Sequence, residues 1–155
     1  MTILGEASIL AEVIRPARSH ITAAMANRLA VLGTTPQIGL TRGYAEEAPA
    51  IYITPGRETP THEYGVESRS AEYSVVAIVD RTQYTIPEYE VIDRIGAVAH
   101  KAMMAHADDA LSRADAIVLT SIRPGHSEDQ GDTIGVELSY AITYSVDPAE
   151  FNNAI

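Results

Sequence analysis

Residues able to carry acid–base, metal or nucleophilic chemistry are few in this chain, and their spacing does not gather them into a set. The histidines are His20, His62, His100, His106 and His126. His100 and His106 turn to different sides of any helix that holds both, whereas a helical zinc pair needs a spacing of four, so surface or partly buried histidine is the expected role. Cysteine is absent, which removes disulfides, thiolate ligands and cysteine nucleophiles together and fits a reducing compartment. Ser19–His20 and His126–Ser127 are sequence neighbours with no strand–turn–helix elbow and no identified acid to orient the imidazole. "TPGRETP" (54–60) and "TRGYAEE" (41–47) combine glycine with arginine but lack the run of backbone N–H groups that cradles a phosphate at a helix start, and both read as turns. The expectation is a chain without catalytic residues, metal or cofactor.

Acidic side chains concentrate in "RPGHSEDQGD" (123–132), where Glu128, Asp129 and Asp132 suggest a hard cation. A calcium loop needs alternating acidic positions and a bidentate glutamate, and neither is present. A solvated hairpin tip is the first reading of this stretch and a partner-contacting loop the second. Tyrosine occurs eight times, beside one Phe and no Trp. Its apolar ring and polar tip suit an interface, but ordinary strand composition accounts for the count equally well.

The chain has 155 residues with formal net charge −10, from 21 acidic and 11 basic residues. Nucleic-acid binding draws most of its affinity from basic groups that neutralise phosphates, so this balance argues against a duplex-binding surface. No stretch approaches the roughly 18 consecutive apolar residues of a membrane helix. The first twenty residues lack the basic start and unbroken apolar run of a secretory signal, so a soluble, intracellular protein is expected.

The elements that must position these residues follow from apolar periodicity. Residues 1–14 carry Ile3, Leu4, Ile9, Leu10, Val13 and Ile14, interrupted by Gly5, and read equally as a short helix over 6–14 or an arm docked on a neighbour. From Pro16 to Leu32, Ile21, Ala24, Met25, Leu29 and Leu32 recur as one helical face, closed by Gly33 and Pro36. Short extended pieces follow at Ile38–Leu40 and Ala50–Thr54, the second opened by Pro49. Glu67–Asp80 alternates with Ala71, Tyr73, Val75, Ala77 and Val79 on one face, and should pair with the preceding strand as a long hairpin.

Thr85 and Glu88 have capping-box spacing, and Val91, Ile92, Ile95, Val98, Ala99, Ala102 and Met103 then form one buried stripe of a second helix. Close packing against a strand is the expected reason for Gly96 inside it. A helical turn near Asp109–Arg113, a strand at Ala116–Ile122 and the acidic loop lead to "GVELSYAITYSV" (135–146). Here Val136, Leu138, Tyr140, Ile142, Tyr144 and Val146 alternate strictly with Glu137, Ser139, Ala141, Thr143 and Ser145, and covering that apolar face calls for a central strand. The fold class expected is α+β: one mixed, mostly antiparallel sheet with two main helices on one face.

"LSYAITYSV", preceded by "AEYSVVAIVD", a capped helix and an acidic loop, resembles the tail terminator proteins of long-tailed phages, the lambda minor tail protein U family. Leu138, Tyr140, Ile142 and Tyr144 match that family's closing Leu-x-Tyr-x-Ile-x-Tyr strand, and Pro49, Ala50, Ile51 and Ile53 match its Pro-Ala-apolar-x-apolar strand. The element order agrees over about residues 16–146, while 1–14 and 57–68 have no counterpart. The resemblance implies a single terminator-like domain over 1–155, a structural protein and not an enzyme. It implies a self-associating ring, six-membered in the family, at the head-proximal end of a virion tail, assembled in the host cytoplasm.

Such a ring halts polymerisation of the tail tube protein and offers a surface to the head connector, with DNA passing through the lumen without specific binding. Contacts to those partners are expected from Glu46 and Glu47, and from His126, Ser127, Glu128, Asp129 and Asp132, because both loops are polar and placed between strands. A neck or tail completion protein of related fold is the alternative, and a small α+β enzyme or ligand-binding domain stands behind it.

Overall fold

The computed structural model describes residues 17–39, 48–126 and 132–146. The chain runs through helix α1 (Ala17–Leu29), which tightens into a 3-10 turn at Ala30–Leu32, then strands β1 (Gln37–Ile38), β2 (Ala50–Glu63) and β3 (Val66–Asp80). A second 3-10 turn (Arg81–Gln83), helix α2 (Glu88–Met103), β4 (Ala116–His126) and β5 (Thr133–Val146) complete it. The strands form one sheet in the order β1-β2-β3-β5-β4, antiparallel except for the short β1–β2 pair. This is the expected α+β architecture, with β5 inside the sheet between β3 and β4.

Alternation decides what each strand buries. Val136, Leu138, Tyr140, Ile142, Tyr144 and Val146 are all buried, as are Ala71, Tyr73, Val75 and Ala77 across the ladder, with Val79 half-buried. Their register is direct, with Tyr73 opposite Tyr140 and Val75 opposite Leu138. Both helices close this face: Ile21, Ala24, Met25 and Leu29 of α1 and Ala99, Ala102 and Met103 of α2 belong to the same apolar cluster. Burying one such large aliphatic side chain contributes about 1.5–3 kcal/mol. Gly33 ends the first helical run at φ 88°, the left-handed position read for it.

Several local features depart from the sequence reading. β2 does not stop at Thr54 but runs through "TPGRETP", which is therefore strand and not turn. Beyond Ile53 the far side of β2 has no β1 partner, so Pro55 and Pro60 forfeit no ladder donor there. A bulge between Pro55 and Glu58 absorbs the irregularity. A Cβ on Gly56, inside that bulge, would lie 3.2 Å from the carbonyl oxygen of Glu72, so the close approach of β3 requires the missing side chain. β4 likewise continues past Ile122 into Arg123–His126, with Pro124 tolerated on an edge strand.

The Thr85–Glu88 capping box does not form. Helix α2 starts at Glu88 behind Pro87, with no side-chain cap, and the Glu88 carboxylate turns instead to Arg81 at 3.2 Å. Val98 is 52% exposed, because the line of contact with the sheet runs through Val91, Ala99 and Met103 and leaves it on the flank. Gly96 does face β5, but a Cβ there would meet the Val136 methyls at 3.7 and 3.8 Å, which is ordinary contact. Packing therefore leaves room for alanine and does not account for the glycine.

The sheet's outer face is not uniform. It carries a second buried cluster of Ala50, Tyr52, Val76 and Ile78, which makes "VVAIV" a run buried on both sides. Toward the other end of the hairpin that face turns to small hydroxyls. Thr54, Ser74, Ser139 and Ser121 lie in one cross-strand row, and Thr59, Ser70 and Thr143 in another.

Candidate functional site

The residues singled out for partner contact are only partly placed. Glu46 and Glu47 lie outside the described residues, as do Ser127, Glu128 and Asp129. His126 is the last residue of β4, exposed and paired with Ile134, and exposed Asp132 accepts a hydrogen bond on its carbonyl from the Arg81 N–H at 2.7 Å. The sheet register therefore sets these two at the end where β3 finishes.

The histidines stay dispersed. His20, His62, His106 and His126 are exposed, and His62 sits 3.4 Å from Glu67. Half-buried His100 stacks on Tyr140 with ring centroids 5.9 Å apart and shares a hydrogen bond of 2.9 Å with its hydroxyl through Nδ1. Burial pushes the Tyr140 hydroxyl pKa well above the usual tyrosine range. Among the described residues no group of three or more His, Cys, Asp or Glu could hold a metal ion.

Two charged networks form that sequence reasoning did not anticipate. Arg28 is buried between α1 and the segment after α2. Its guanidinium donates to both Asp109 carboxylate oxygens at 2.8 and 2.7 Å, to the Met103 carbonyl at 2.5 Å and to Ser112 Oγ at 2.5 Å. Those hydrogen bonds from Arg28, aided by the Ser112 N–H, lower the Asp109 pKa to about 2 against the desolvation that opposes it. The signal for this network was present: position 28 falls on the same helical stripe as Ile21, Ala24 and Met25, and a charge there needs a partner.

The second network lies on the helix-covered face at the far end of the β2–β3 hairpin. Arg69 Nε donates to Glu67 at 2.7 Å, Glu58 approaches Arg69 at 3.7 Å, and Arg18 of α1 reaches Glu58 at 3.2 Å and the Gly56 carbonyl. The Arg18 guanidinium also lies 5.4 Å from the Tyr73 ring centroid. Burial raises the Tyr73 hydroxyl pKa, partly offset by Thr22 and Arg18. Asp80 is held low by the Thr82 hydroxyl and N–H that it accepts from. The groups with shifted acidity are explained by burial or local partners; Tyr73 and Tyr140 are neighbours across the β3–β5 ladder, whereas Asp80 and Asp109 lie apart from them.

Two concavities open on the surface. One is an apolar groove of about 620 Å³ between the 3-10 end of α1 and the flank of α2, floored by Ile51 and Ala77 and bordered by Val31, Leu32, Ile95 and Val98. The other is a shallow trough of about 700 Å³ on the outer face, lined largely by hydroxyls including Thr54, Ser74, Ser121 and Ser139. The groove shares its end of the sheet with His126 and Asp132, since Val79 pairs with Ile134 and Ile134 with His126.

With the geometry in place, the fold can be compared with known proteins. It is similar to a chain of the solved virion of a native gene transfer agent particle, at 16% sequence identity and a TM-score of 0.56, covering 84% of this chain and 98% of that one. At that identity the similarity establishes a shared α+β fold. No family model matches the sequence, and no curated protein does.

Proposed function

We propose that the chain is a structural protein of a phage-like particle and, within that role, a single-domain tail terminator that closes into a ring, caps the tail tube and presents the surface to which the head joins. The observation that carries this reading is the fold shared with a virion chain over nearly that chain's whole length. The β5 strand motif supports it. A polymer of identical subunits stops when its tip is covered by something that offers the next subunit nothing complementary, and a closed ring does this.

In this role the partners are other copies of the chain, most simply six, the tube protein on one side and the head connector on the other. Glu46–Glu47 and His126–Asp132 make those contacts, and their acidic groups meet basic groups on the tube. The net charge of −10 per chain keeps the DNA that traverses the lumen unbound. The test is a particle that lacks this gene. Overlong or variable tails that fail to join heads are expected. Normal tail length with failed attachment would assign the chain to the neck instead, and normal tails that attach would rule out the terminator role.

A further inference from the structure

We draw no further inference here: the strongest candidate, the edge of β4 that no described strand pairs and on which Val118 and Ile122 are exposed, carries nothing because nothing in the structure shows what covers it.

Discussion

The two faces of the sheet are built from the same strands, yet they answer to different constraints. On the helix-covered face β5 presents six buried large side chains in succession, and β3 answers with Ala71, Tyr73, Val75 and Ala77 in direct register. On the outer face the alternating partners Glu137, Ser139, Ala141, Thr143 and Ser145 are half-buried by their neighbours in the sheet. The first face is fixed by volume, where one methylene is felt. Away from the buried Ala50, Tyr52, Val76 and Ile78 cluster, the second is fixed by little more than small size and polarity.

Three substitutions press on that contrast. Tyr140→Asp should have the largest effect, since it sets a carboxylate among buried apolar residues and leaves the His100 imidazole without the ring it stacks on and the hydroxyl it hydrogen-bonds. A loss of about 3–5 kcal/mol is expected, enough to abolish the cooperative transition in urea unfolding. A variant that unfolds like the parent would mean that β5 faces the other way.

Arg28→Met comes next. It removes four donated hydrogen bonds beneath the helix layer and strands Asp109, and should cost about 2–4 kcal/mol in the same experiment. The pH dependence has a definite sign. The folded-state pKa of Asp109 is depressed to about 2, below the unfolded value, so its stabilisation is fully present above about pH 4 and is lost as pH falls toward 2. The parent should therefore weaken in that window more steeply than Arg28→Met, and parallel acid profiles would remove Asp109 from the account.

Glu137→Ala, on the outer face opposite Val76 and Arg123, should change stability by less than about 0.5 kcal/mol in thermal melts. A larger loss would show that this face is as constrained as the other.

Much of the fold was legible because its period was strong. The alternation of β5, the helical stripe from Ile21 to Leu29 and the Gly33 stop each have one physical solution, and the structure adopts it. Elements failed where a local rule met a tertiary exception. Pro55 and Pro60 argue against a strand only if their missing N–H groups would be needed, and an edge releases them from that. Thr85 has the spacing of a cap, but Pro87 fixes the helix start and Arg81 draws Glu88 away. The apolar groove was illegible because it has no period: it depends on two helix flanks that come together only through the sheet between them. The acidic partner loops were read from composition, and of them only His126 and Asp132 fall within the described residues.

The uninterrupted β3–β5 ladder, paired from Glu67 opposite Val146 to Asp80 opposite Thr133, also sets the order in which the protein can be made. The two strands are separated by α2 and β4, so their pairing closes a loop of many tens of residues and is slow compared with the local β2–β3 hairpin. On the ribosome β4 emerges before β5, its one partner among the described strands, and β3 waits with one long edge open until the same moment. Closure of the described sheet therefore waits for synthesis of β5, and a nascent chain that stalls before Thr133 leaves the β3 and β4 edges that β5 covers bare to its neighbours on the polysome.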